Sequence, residues 1–334
     1  MLRLGAYTAC LHDLPLGDAL DVLVELGLSG VEVNAGGFIP TPHLPVEAVL
    51  ASDAARDDYL DEFAQRGLTL TGLNVNGNPL HPDREVGPRH AADLERSIRL
   101  AARLGVGRIV AMSGLPAPHE GGRLPAWAVV PWDSAYTEAL AYQWDDVAIP
   151  FWRKVDRLAS EADVIVCIEM HPHNLVFNPP TLERLVERID ASHVGAEMDP
   201  SHLFWQGIDP IAAVTRLGRL VYHAAAKDTR INDENCRTAG VLDDRFRPVP
   251  PGQPVTGLGG RFVVNRWPQE PSWEFVAVGR GHDAGYWSRF LAALAAVDPD
   301  MAVNIEHEDV ELPGVAGLRA AAAALTGAAS TAGV

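Results

Sequence analysis

Short apolar runs and longer amphipathic runs alternate from one end of this chain to the other, and no other feature narrows its fold so far. Parallel strands returned by crossover helices produce such alternation, because a parallel neighbour is reached only through a connection of about a dozen residues or more. Eight strands are predicted, at Leu2–Ala9, Gly30–Ala35, Leu68–Val75, Arg108–Ser113, Val164–His171, Val194–Asp199, Leu220–Asp228 and Met301–His307. Helices are predicted at Leu16–Leu26, Ala54–Gln65, His90–Leu104, Ile149–Ala162, Thr181–Ile189 and Tyr286–Ala296, with an Ala-rich last helix over Leu318–Ala329 that frays into a tail. Asp18 and Glu183 fall near helix starts, where the macrodipole favours an acid. Gly27, Gly67 and Gly105 follow three of the helices, where a positive φ closes the last turn. The repeats predict one α/β domain over residues 1–334, a (β/α)₈ TIM barrel. No GxGxxG follows the first strand, which removes the best reason to choose a dinucleotide-binding sheet.

Two connections are too long for simple loops, about residues 115–147 and 229–282. The first carries Trp127, Trp132 and Trp144, the second Trp267 and Trp273 among many Gly and Pro. Both follow strand ends, so both are expected to rise from the C-terminal face of the barrel, where active sites are built, as substrate walls or subunit contacts.

The chain has 44 acidic against 27 basic residues, a formal charge of −17, so its surface repels nucleic-acid phosphates and anionic membranes. A small-molecule substrate fits better. Cys10, Cys167 and Cys236 are scattered without CxxC spacing, and Cys167 sits in an apolar strand, so neither a disulfide framework nor a zinc ribbon is indicated. No apolar run of membrane-spanning length occurs and the first residues do not read as a signal peptide, so a cytoplasmic location is expected.

Four consecutive strand candidates end in a metal-competent side chain: Glu169, Asp199, His223 and Glu306. The C-terminal ends of barrel strands converge, and three carboxylates meeting one imidazole there need a cation. Such a set suits Mn²⁺, with Mg²⁺ and Co²⁺ as alternatives. His171 lies two residues beyond Glu169, on the same strand face by the period of two, and its ordinary pKa suits proton transfer near neutrality. It is the preferred general base, with Glu169 and Glu306 as the other catalytic carboxyls. His202, Lys227 and His307 are candidate substrate contacts, and Glu32, Asp228, His173, Arg280 and His282 are weaker ones with a structural role at least as good.

The pattern Glu…Asp-x-x-His…His…Glu on successive strands resembles the xylose isomerase-like barrel superfamily of ketose epimerases, inosose dehydratases and sugar phosphate isomerases. The resemblance covers essentially the whole chain. It implies metal-binding roles for Glu169, Asp199, His223 and Glu306, with His202 of Asp199-Pro200-Ser201-His202 beside metal and substrate. A narrower resemblance rests on Glu169-Met170-His171-Pro172, on Trp144 with Ile149-Pro150-Phe151-Trp152, and on Trp273-Glu274-Phe275 with Gly279-Arg280-Gly281-His282-Asp283. These blocks look like the large subunit of bacterial C-glycoside deglycosidases. That likeness implies removal of the proton α to the ketone of a 3-oxo-glycoside and elimination of the aglycone, with a small β-rich partner subunit and an oligomeric assembly. The segment between His223 and Glu306 is longer than in a typical ketose epimerase. An epimerase, isomerase or dehydratase using the same metal site is the alternative. A metal-dependent endonuclease is disfavoured by the net charge of −17, and a non-catalytic barrel by the presence of all four ligand candidates.

Overall fold

The computed structural model describes all 334 residues, Met1–Val334. Its strands, in chain order, are β1 (Arg3–Tyr7), β2 (Gly30–Asn34), β3 (Thr69–Asn74), β4 (Arg108–Met112), β5 (Ile165–Glu169), β6 (Val194–Met198), β7 (Val221–Ala226), β8 (Asp228–Ile231), β9 (Gly257–Gly259), β10 (Phe262–Val263), β11 (Trp273–Val276) and β12 (Ala302–Ile305). Eight of them close a parallel barrel in the order β1-β12-β7-β6-β5-β4-β3-β2, so the predicted (β/α)₈ fold is the observed one. Each predicted barrel strand is present and a little shorter than its apolar run. The run predicted at Leu220–Asp228 is broken at Lys227: β7 stays in the barrel, while β8 leaves it to pair antiparallel with β11.

Helices cover the barrel with their apolar faces inward. The helix Val86–Leu104 buries Leu94, Ile98 and Ala101 in the core, and Gly105 after it has φ 69°; Gly27 and Gly67 have φ 71° and 68°. The helix Pro179–Ile189 starts two residues before the predicted point because Asn178 caps it reciprocally with Thr181. Glu183 therefore lies outside the first turn, and pairs with Arg216 at 2.7 Å instead. The last helix runs Gly314–Ala332, three residues past the predicted end, and buries Leu318, Leu325 and Ala329 against the helix Ala284–Val297, while Ser330 and Thr331 are exposed.

Inside the barrel the level of Gly5, Gly30 and Asn304 is built for close approach. A Cβ on Gly5 would stand 2.3 Å from both the Gly30 carbonyl and Asn304 Oδ1, so only glycine lets β1 and β2 pass beside that amide.

The two long connections carry structure of their own. The first holds the helix Ser134–Ala141, which runs through a π-helical turn, Tyr142–Ala148, into the helix Ile149–Ala162. Trp127 of that connection stacks on His173, just beyond β5, with ring centroids 4.9 Å apart. The second holds β8, the helix Asp233–Ala239, the β9–β10 hairpin and β11. Phe262 of the hairpin packs on His81 at 4.8 Å, and Gly260 lies against Val86, so this segment starts beside β7 and reaches the loop after β3, on the opposite side of the barrel.

Candidate active site at the barrel mouth

Above the C-terminal ends of the strands lies a cavity of about 220 Å³. Glu169, His171, Lys227, Glu306 and Glu308 line it together with the apolar side chains of Phe38, Ile39, Met112 and Phe275. The Phe38–Ile39 wall is set by Asn34, whose Nδ2 donates to the Ile39 carbonyl at 2.6 Å and to that of Gly36 at 3.1 Å. Asn34 Oδ1 in turn accepts from the hydroxyl of Tyr7, another lining residue.

Glu169 ends β5 and is buried. Its Oε2 accepts from Asn76 Nδ2 at 2.6 Å, and its Oε1 faces His202 Nε2 at 3.4 Å. His202 Nε2 also lies 3.6 Å from Asp199 Oδ2, yet neither nitrogen of this buried ring has a hydrogen-bond partner. Asp199 is fixed by its neighbour: Oδ1 accepts from the Ser201 amide at 2.8 Å and Oδ2 from the Ser201 hydroxyl at 2.9 Å. His171 pairs Nδ1 with the Pro172 carbonyl, which makes Nδ1 the N–H and leaves Nε2 bare. Glu169, His171 and His202 present ligand atoms within 4.8 Å of one another. Buried carboxylates beside two imidazole nitrogens without donors suit a divalent cation of the O/N-seeking kind, so the residues present fit the metal that the sequence implies.

The expected quartet is not assembled as such. His223 stands one inner layer deeper, with Nε2 2.9 Å from Glu32 Oε2 and Asn304 beside both. Together with Glu197 it forms a second buried group, separate from that of Glu169. The inner face of β7 reads His223, Ala225, Lys227, so the position above His223 carries no ligand atom. Next up is Lys227, whose ammonium binds Glu306 Oε1 at 2.8 Å and Glu308 Oε1 at 3.1 Å and lies 4.4 Å from the centre of the Phe275 ring.

Electrostatics follow from this crowding. Burial alone would raise the Glu169 carboxyl, but its contact with His202 and the charges of His171 and Lys227 hold it at about 2. Asp199 is pushed up to about 7, by burial first, with Glu169 adding to it. Burial and the neighbouring carboxylates also raise Glu306 and Glu197 well above the usual range. His202 is lowered to about 3, mainly by burial, and stays a neutral base at physiological pH. Burial opposes the charge of Lys227, but Glu306, Glu308, Asp199 and Glu169 outweigh it, so the ammonium is firmly protonated.

Of the other candidates, His307 reaches the cavity, but its Nε2 is committed to the Leu312 carbonyl at 2.7 Å. Asp228 is a brace: its carboxylate accepts from the amides of Thr229, Gly279, Gly281 and His282 and pins His282 Nδ1 at 2.8 Å. Arg280 is held by Asp309 and Glu311, and His173 is exposed, with its ring stacked on Trp127. The sequence reading passed over Asn76, Tyr7, Glu197 and Glu308. Glu308 and Glu197 carried a signal, the one two residues beyond Glu306 and the other two before Asp199, the spacing that relates His171 to Glu169.

Residues 20–327 match the family model described as xylose isomerase-like TIM barrel. The chain is 34% identical over 327 residues to the uncharacterized protein YfiH of Bacillus subtilis, covering 97% of this chain and 98% of that one. Among solved structures it is similar to the 3-keto-D-glucoside 4-epimerase YcjR of E. coli, at 14% identity and TM-score 0.62, over 99% of this chain and 100% of that one. A xylose isomerase-like barrel from Mycobacterium smegmatis in complex with magnesium matches at 14% identity and TM-score 0.62, over 99% and 97%. At such identities the two structures speak for the fold.

Proposed function

Because this chain belongs to the xylose isomerase-like TIM barrel family, we propose that it is a divalent-metal-dependent enzyme that enolises a sugar-derived ketone. The observation that carries this reading is the meeting of Glu169, half-buried His171 and buried His202 beside Asp199, with the His202 nitrogens unpartnered, where Glu169 and His171 line a cavity together with a protonated lysine. Glu169 and Asp199 would hold the cation through carboxylate oxygens, together with imidazole nitrogen from the same cluster. Mn²⁺ is the metal proposed. When bound, it supplies Lewis acidity to a carbonyl and a neighbouring hydroxyl, which makes the α-proton easier to remove.

The chain's own groups divide the remaining work. His171 Nε2, bare because Nδ1 is spent on Pro172, takes the α-proton, and the C–H electron pair moves into the enolate. The Lys227 ammonium offers N–H donors to a developing oxyanion in a site where burial strengthens the interaction. Glu306, raised towards its protonated form, is the acid that delivers a proton. The finer proposal is β-elimination from a 3-oxo-C-glycoside: the proton leaves C2, the enolate pair forms the C1=C2 double bond and restores the C3 ketone, the C1–aglycone bond breaks with its pair on the aglycone carbon, and that carbon takes a proton from Glu306. The apolar wall of Phe38, Ile39, Met112 and Phe275 supports this, since a flat aglycone needs such a surface and a free ketose does not. In this reading a small β-rich partner completes the enzyme, and Trp132, 91% exposed on the first connection, is apolar surface for it to cover.

Epimerisation is the second reading. Glu169 and Glu306 line the cavity from strands separated by two others, so a proton removed on one side can be returned from another. Incubation with a 3-oxo-C-glycoside and with free ketoses, each with Mn²⁺ and with a chelator, separates the two. Metal-dependent release of aglycone is expected; inverted ketose without release selects epimerisation. Absence of both activities with metal bound would refute the enolisation reading.

A further inference from the structure

We infer that the imidazole of the cation site comes from His202, on the segment after β6, and that Lys227 holds Glu306 outside the coordination set. This rests on the reading that the mouth binds a divalent cation, and it changes which residues would do so.

Three observations carry it. First, β7 offers no imidazole at the right depth. His223 is taken by Glu32 at 2.9 Å in the layer below, and the next inner position is Ala225. Second, His202 is placed as a ligand would be. It sits between two carboxylates, 3.4 Å from Glu169 Oε1 and 3.6 Å from Asp199 Oδ2, buried and with both ring nitrogens unpartnered. An uncompensated imidazole in that position costs stability unless something binds it. Third, Glu306 already has a cation. The Lys227 ammonium bridges it to Glu308, and the Phe275 ring covers the same ammonium. Glu306 does not join the cluster of Glu169, His171 and His202. The ammonium thus occupies the carboxyl oxygen that a cation would otherwise take.

Mn²⁺ titration of the full chain by calorimetry and electron paramagnetic resonance tests this without any substrate. His202→Ala and the bulkier His202→Leu, both checked for cooperative melting, are expected to weaken Mn²⁺ by more than about 100-fold, beyond the range that outer-shell partners produce. Glu306→Gln and His223→Gln are expected to lose less than about 100-fold, within the range of residues that do not touch the metal. Lys227→Met, which frees Glu306, should bind at least as tightly. Smaller losses in both folded His202 variants, or a loss beyond about 100-fold in Glu306→Gln, overturn the assignment. If the unmodified chain itself fails to bind Mn²⁺, Mg²⁺, Co²⁺ or Zn²⁺, the metal reading above falls, a result distinct from a misassigned ligand.

Discussion

Glu32 and His223 show how much a single residue's depth decides. Both are buried, their atoms meet at 2.9 Å, and Asn74 and Asn304 donate to the carboxylate. Burial would raise the Glu32 carboxyl, but His223 and the two amides bring it below the ordinary carboxylate value, so it is kept charged by its partners. Removing one member of such a pair leaves the other unpaired in the core. Glu32→Leu is expected to lower the unfolding free energy by about 3–5 kcal/mol in urea denaturation, and adding His223→Leu should recover part of the loss. A double variant no more stable than the single one would deny the pair its structural role. The same pair explains what was legible in the sequence at the site. Strand periodicity put His223 on the inner face correctly, but period two does not distinguish one inner layer from the next, and depth comes from the stagger of neighbouring strands. Glu169, Asp199 and Glu306 stand at strand ends, where position along the chain fixes depth. His202 is on a short helix, Ser201–Trp205, whose direction no strand pattern reveals.

At the scale of elements, the eight barrel strands were legible because each is an apolar run bounded by turn residues and buried on both sides. The pieces that escaped are those whose partners lie far along the chain. Strands β8 and β11 are the clearest case, pairing Asp228 with Val276 and Ile231 with Trp273. Their pairing brings the ends of the second insertion together, with the Asn232 amide donating to the Ser272 carbonyl at 2.9 Å. Residues 233–271 can therefore be replaced by a short turn that keeps the β8–β11 pairing and Lys227, at the cost of the Trp267 ring that packs 5.9 Å from Phe275. The shortened protein is expected to melt cooperatively and to hold Mn²⁺ as the parent does, because neither the Glu169 cluster nor the Lys227 clamp draws on the removed residues. If the insertion walls the substrate, turnover of a bulky glycoside should fall while metal content stays. Equal loss of both would mean that the segment supports the barrel itself.

The molecule as a whole carries 17 more acidic than basic charges, and its surface chemistry works against that excess. Most ion pairs are Arg–carboxylate contacts at or near the surface; the exposed ones, such as Arg216–Glu183 and Arg188–Asp145, are each worth about 0–1 kcal/mol. Salt weakens these attractions, and it also weakens the repulsion among acids that have no partner. Repulsion is the larger sum, because 27 cations cannot neutralise 44 anions and unlike pairs are already compact enough to resist screening. Raising sodium chloride from about 0.01 M to about 0.15 M shortens the screening length from about 30 Å to about 8 Å, less than the breadth of one face of the barrel. The urea midpoint should therefore rise over that interval and flatten above it. The measurement is made with a chelator present, since a divalent cation held at Glu169 would stabilise the fold by binding and mask the screening. A midpoint that falls with added salt would mean that the exposed pairs outweigh the excess charge, and that the acidic surface is organised as a stabilising network.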